Sequence, residues 1–285
     1  MRSKPATSNL KPKTHTLPHL KFQISNLKLM SRLQELFEQK SNKVLNIYCT
    51  AGYPLLNSTL EVMQALQENG ADIIELGVPY SDPLADGPVI QESGSVALQN
   101  GMTIKTLIMQ LQQLRPAVHV PVILMGYINP VLQYGFEKFC REVSAAGVDG
   151  LIFPDIPIRE FETEYGTVIK KYGLDFIFLI TPETSEQRIR KIDELSTGFI
   201  YAVSSSSTTG KDKNFSDVEV YLKRLRDMKL KNPVLVGFGI KDKSSFESAC
   251  NYANGAIIGS AYIRALQANA DIKTTTKKFL EGILK

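Results

Sequence analysis

The sequence predicts an α/β fold, a single-domain (β/α)8 TIM barrel. Three observations predict it. Eight apolar runs of strand length recur along the chain, amphipathic stretches separate them, and 285 residues with 43% hydrophobic content can bury one large core. Alternation alone also fits an open doubly wound sheet; eight regular units favour closure.

In chain order the strand runs are 44–50, 72–78, 121–127, 150–154, 176–180, 199–203, 234–238 and 256–259. The helical partners include 60–68, 97–114, 136–146, 160–172, 186–195, 218–228 and 244–251, each bounded by Gly, Pro, Ser or Asn. A short extra helical stretch, 262–267, follows the eighth strand. Active sites of such barrels form at the C-terminal ends of the strands, so the residues there are the ones to read for function.

The second strand ends in IELGVPYSDPLADGPVIQ, residues 74–91. Glu75 interrupts an apolar run (Ile73, Ile74, Leu76, Gly77, Val78) that otherwise reads as a strand buried on both faces. A carboxylate there is either paired or raised in pKa by desolvation, and a raised carboxyl suits general acid/base work near neutral pH. Pro79, Pro83, Gly87 and Pro88 stiffen the following loop, which carries Asp82 and Asp86. The plainer alternative is a buried Glu matched to a Lys or Arg, with the two Asp residues forming turns and capping the next helix.

Other strand ends carry aromatic and small polar groups: Tyr48 to Gly52, Met125 to Tyr127, Phe153 to Asp155, and Tyr201 leading into SSSSTTG. A flat apolar ligand with a polar tail fits such a mouth; ordinary barrel packing also explains each tyrosine taken singly. Gly237 and Gly239 close the seventh strand and Gly259, Ser260 and Ala261 the eighth, ahead of the extra helix. Glycines admit close backbone approach and a helix start offers free N–H groups, so a phosphate site is expected at this corner, although Gly-x-Gly turns often mark only tight packing. The polar, glycine-ended run 204–210 reads as a lid over the site, and a linker would look much the same.

Composition narrows the chemistry. His15 and His19 lie near the start, leaving His119 alone in the body, which argues against a His-based triad or zinc cluster and puts the acid/base burden on carboxylates. Cys49, Cys140 and Cys250 are far apart in apolar surroundings and read as reduced core residues rather than a disulfide framework or metal site. The net charge of +4 is mild and much of it sits in residues 1–34, which contain seven Lys and Arg and no acid. No nucleic-acid footprint remains in the body, and no apolar stretch reaches the roughly 18 residues of a membrane span. Residues 1–29 are expected to be a poorly ordered basic extension, or the product of an upstream start, with 30–285 forming the barrel domain. An acid-free, Ser/Thr-containing start also fits an organelle transit peptide, although no Arg-rich amphipathic pattern is present.

The dense match over residues 74–91 resembles the signature of the tryptophan synthase α subunit family, and the resemblance extends over roughly residues 30–285. It implies a cytoplasmic carbon–carbon lyase, free of metal and organic cofactor, that cleaves indole-3-glycerol phosphate to indole and glyceraldehyde 3-phosphate in tryptophan biosynthesis. Under it, MSRLQELFEQK is the family's short first helix. Glu75 falls on the catalytic glutamate and Asp86 on the aspartate that binds the indole nitrogen. Tyr48, Tyr127 and Tyr201 fall on pocket positions, Thr209 on the lid threonine that reaches the catalytic Asp, and Gly210, Gly239, Gly259 and Ser260 on the phosphate site. Pro79, Asp82 and Asp155 fall where the family meets its pyridoxal-phosphate β subunit, implying an α2β2 heterotetramer. Ser205, Ser206, Ser207 and Thr208 depart from the Arg, Gly and Val common in that lid, so its closing kinetics are not carried over. Two rivals are another phosphate-gripping barrel of the same pathway, whose usual lysine acid or Cys/Asp pair is missing at these strand ends, and a regulatory subunit whose catalysis has decayed.

Overall fold

The computed structural model describes Met1 and residues 30–203, 215–237, 239–268 and 271–285. The expectations for residues 1–29 from Arg2 onward, for the lid with Thr209 and Gly210, and for Phe238 lie outside the described residues.

Nine parallel strands run β1 Val44–Thr50, β2 Ile73–Gly77, β3 Val122–Met125, β4 Gly150–Ile152, β5 Asp175–Phe176, β6 Leu179–Ile180, β7 Ile200–Val203, β8 Val234–Gly237 and β9 Gly255–Ile258. Their order is β5-β4-β3-β2-β1-β9-β8-β7-β6. Its two ends, β5 and β6, are halves of the single fifth run foreseen at 176–180, parted only by Ile177 and Phe178. The Ile177 N–H donates to the Leu151 carbonyl and the Tyr201 N–H donates to the Phe178 carbonyl, each at 3.0 Å. One continuous segment therefore pairs with β4 at its start and β7 at its end, and the ring closes as a (β/α)8 barrel rather than an open sheet.

Alternate residues of the strands point inward. Val44, Ile73, Ile123, Ile152, Ile177, Phe199, Leu235 and Ile257 fill the barrel interior, and Leu33 of the first helix joins them from below. That helix, Arg32–Gln39, starts in a capping box: the Gln34 N–H donates to Ser31 Oγ while the Ser31 N–H donates to Gln34 Oε1. Asp149 ties this end shut, accepting from Arg32 at 2.7 Å, from Arg115 at 2.8 Å and from the Val122 N–H at 2.7 Å. The outward faces of the strands form a second, larger core with the surrounding helices.

The helix expected at 97–114 is two helices, Pro88–Gln99 and Ile104–Leu111. Gly101 turns the chain with φ +93°, the Asn100 amide donates to the carbonyls of Gly52 and Pro54 at 2.9 Å, and Thr103 caps the second helix. Apolar spacing runs through the turn because both helices bury the same side, which hid the break from a periodicity reading. Pro88, expected in the loop, instead opens its helix, where the missing N–H does no harm. The segment 160–172 holds a π-helical turn, Phe161–Tyr165, ahead of Gly166–Lys171. Helices Ile128–Tyr134 and Ile272–Leu284 add to those the sequence predicts.

Candidate active site

The C-terminal ends of β1, β2, β3, β6, β7, β8 and β9 open onto a cavity of about 310 Å³. Tyr48, Glu75, Asp86, Tyr201, Gly239, Gly259 and Ser260 all line it, so the structure brings together seven residues singled out from separate parts of the sequence.

Glu75 stands in β2 between Tyr48 of β1 and Ile123 of β3 and is 1% exposed. Its partner is an amide rather than a cation: Asn46 Nδ2 donates to Glu75 Oε2 at 3.0 Å. No Lys or Arg among the described residues pairs with it, so the reading of a buried ion pair fails. Burial pushes the carboxyl up to about 8, the Asn46 bond opposes that rise, and the negative charge of Asp86 adds to it.

Asp86 belongs to the loop between β2 and the Pro88 helix. It does not cap that helix; Gly87 occupies the capping position and offers no side chain. Burial raises the Asp86 carboxyl above its ordinary value, and a hydrogen bond from the Tyr127 hydroxyl lowers it. The same hydroxyl accepts from the Ala85 N–H at 2.9 Å. Tyr127 therefore holds the loop and its carboxylate, and it is not among the residues that line the cavity.

Two tyrosines are seated by two glycines. A Cβ on Gly77 would stand 2.0 Å from the Tyr48 hydroxyl, and one on Gly237 would stand 2.5 Å from the Tyr201 ring. Each ring crosses onto the neighbouring strand where that strand has no side chain, and so forms a wall of the cavity. Both hydroxyls are held well above their ordinary pKa by burial, with Glu75 and Asp86 adding to the effect, so both stay neutral.

At the far side, Gly259 precedes the helix Ser260–Ala268, and its carbonyl accepts from the Ile263 N–H. The N–H groups of the first turn are thus free to meet an anion. Gly239 takes φ +42°, and nothing crowds its missing Cβ, so conformation rather than packing asks for glycine there. Lys241 and Arg264, which the sequence reading missed, line the same cavity and form no ion pair with any described residue. Leu179 and Met125 add apolar wall.

Pro79, Asp82 and Asp155 lie on the loops after β2 and β4, at the same mouth. Pro79 is half-buried and Asp82 exposed, next to the prominent Leu84 at 89% exposure. Asp155 is exposed too, and its carboxylate accepts from the Ile128 N–H at 3.0 Å, fixing the start of the helix Ile128–Tyr134. His119 is exposed on the outside of the barrel, beside Arg32 and Arg115 at the closed end. All three cysteines are free and buried. Among the described residues no group of three or more His, Cys, Asp and Glu could hold a metal ion, and no helix is long and apolar enough to cross a membrane.

Fold and site together define a barrel enzyme whose cavity at the strand ends is lined by two carboxyls with raised pKa and by the start of a helix. The family model described as tryptophan synthase alpha chain matches residues 34–283. The tryptophan synthase alpha chain of Flavobacterium johnsoniae is 52% identical over 236 residues, covering 82% of this chain and 93% of that protein. That of Parabacteroides distasonis is 48% identical over 255 residues, covering 89% and 99%. Among solved structures, tryptophan synthase subunit alpha from Legionella pneumophila superposes with a TM-score of 0.81 at 33% identity, covering 89% of this chain and 97% of that one. A chain of tryptophan synthase from M. tuberculosis gives 0.78 at 32% identity, covering 89% and 100%. The chain belongs to the tryptophan synthase alpha chain family, carbon–carbon lyases of the alpha reaction, which cleaves indole-3-glycerol phosphate in tryptophan biosynthesis.

Proposed function

We propose that Glu75 moves the protons and Asp86 holds the indole nitrogen in this cleavage. Indole leaves poorly as an anion, so the ring carbon bonded to the glycerol chain must be protonated first. Glu75, kept largely as the acid near neutral pH by its burial, gives its proton to that carbon. Positive charge grows on the ring nitrogen, and the Asp86 carboxylate offsets it. The carbon–carbon bond then breaks and its electron pair returns to the ring. The adjacent hydroxyl becomes the aldehyde, and its proton passes to the Glu75 carboxylate, which restores the acid. None of these steps uses a metal or an organic cofactor.

Tyr48 and Tyr201 wall the indole, while Tyr127 orients Asp86. Gly239, Gly259 and Ser260 hold the phosphate through N–H groups, with Gly210 as a further contact and Lys241 and Arg264 supplying positive charge, so that phosphate binding positions the reacting carbon. Residues 30–285 form the catalytic unit. Pro79, Asp82 and Asp155 dock a β subunit in an α2β2 assembly, a reading supported by the tryptophan synthase structures that this chain resembles. Three unpaired, buried cysteines fit a cytoplasmic setting.

The observation that carries the reading is a buried carboxyl with no cationic partner among the described residues, facing the same cavity as a second carboxyl and a helix start flanked by Lys241 and Arg264. Its test is to follow indole release from indole-3-glycerol phosphate, with and without a tryptophan synthase β subunit. Slow release by the chain alone, accelerated by the β subunit and no longer accelerated in Asp82→Ala, is expected. No release under either condition contradicts the proposal.

A further inference from the structure

Asn46 occupies an unusual place. It lies on β1 one inward position below Tyr48, within a barrel interior otherwise filled by Val44, Ile73, Leu235, Ile257 and their neighbours, and it is 0% exposed. An amide buried among aliphatic side chains is unfavourable unless its hydrogen bonds are made. Its Nδ2 makes one, to Glu75 Oε2 at 3.0 Å, and its Oδ1 has no partner among the described residues. The other Glu75 oxygen accepts no hydrogen bond from a described residue, and Glu75 lines the cavity. Packing alone would be met better by Val or Leu.

From this geometry we infer that Asn46 is a positioning residue for the reaction: its amide pins one oxygen of Glu75 against the barrel interior so that the other faces the substrate. The inference rests on the proton-transfer role proposed for Glu75. The amide serves both protonation states. Its NH2 donates to the same oxygen in the carboxylate and in the acid, which leaves the acid's proton on the oxygen that faces the substrate. Glu75 thus keeps one orientation while it gives and regains a proton. The titratable groups whose charge interacts with Glu75 are Tyr48 and the outward-pointing Cys49 on β1, Asp86 on the loop after β2 and Tyr201 on β7. All four disfavour the carboxylate when charged; Asn46 is the neighbour whose hydrogen bond favours it.

The test is Asn46→Leu, of similar size and without hydrogen bonds, with Asn46→Ser as a smaller second variant that cannot span to Glu75. For either folded variant, kcat is expected to fall roughly tenfold to a hundredfold with KM nearly unchanged. The alkaline limb of the kcat/KM profile should move to higher pH by about one unit. A ¹³C-carboxyl NMR titration of Glu75 in the same variants should show the same displacement. A folded variant with wild-type kcat, alkaline limb and titration overturns the inference. Glu75→Gln separates the two levels: if it keeps normal turnover the role of Glu75 itself falls, whereas an inactive Glu75→Gln beside an unaltered Asn46 variant removes only the role of Asn46.

Discussion

The Tyr48 hydroxyl occupies the space that any side chain at Gly77 would need, 2.0 Å from the position of a Cβ there. Because Gly77 ends the strand that carries Glu75, a methyl group at this point reaches the reaction centre indirectly. Gly77→Ala should push Tyr48 into the cavity, lower stability by about 1–3 kcal/mol through overpacking and lower kcat/KM by roughly tenfold or more. Gly237→Ala should do the same through Tyr201. Thermal unfolding and steady-state kinetics check both; wild-type values for either variant would mean that the rings have room to spare.

The proposed chemistry needs Glu75 as the acid and Asp86 as the carboxylate. Burial places the first near pH 8 and lifts the second above its ordinary 3.8, so kcat/KM should be bell-shaped, falling on the alkaline side near pH 8 and on the acid side at a pH above that ordinary value. The two carboxyls line one cavity and the charge of Asp86 raises Glu75, so the limbs belong to the pair rather than to either residue alone. A profile that is flat between pH 6 and 9 would contradict the assignment.

The same burial makes Glu75 a destabilising group above mildly acid pH. Its folded-state pKa is raised from 4.5 to about 8, so its contribution to stability is full below 4.5, declines as pH rises and is gone above about 8. Glu75→Gln cannot ionise and escapes this loss. The variant should match the wild type near pH 4.5 and exceed it by on the order of 4 kcal/mol above pH 8. Chemical denaturation at the two pH values checks this; an equal margin at both would show that the carboxyl is not desolvated.

At the opposite end of the barrel, Asp149 gathers Arg32, Arg115 and the Val122 N–H beneath the interior core. Asp149→Ala leaves the half-buried Arg115 without its carboxylate and should lower stability by about 3 kcal/mol, with kcat scarcely changed in the protein that remains folded. Loss of catalysis without loss of stability would tie this end to the site.

Much of this was legible in the sequence because barrel strands leave strong marks. Eight apolar runs appear as the ring, and Glu75 betrays itself as a carboxylate inside one of them. Asn46 carries the same signal, a polar residue in the buried run 44–50, but an amide suggests less chemistry than an acid. The break at Asn100 and Gly101 was hidden by helices that bury a common side. Lys241 and Arg264 gave no local sign, since only the fold brings the stretches after the seventh and eighth strands to one corner. The splitting of the fifth strand was equally silent, because it arises from where the neighbours on each side stop pairing.

The central claim is that Glu75 moves the protons of carbon–carbon cleavage, and indole formation by Glu75→Gln tests it most directly. An amide retains the shape of the side chain and can still accept the Asn46 bond, but it cannot give and regain a proton. In a folded variant that still binds a glycerol phosphate analogue, turnover should fall roughly a hundredfold to ten-thousandfold. Near-normal indole release from that variant would contradict the account.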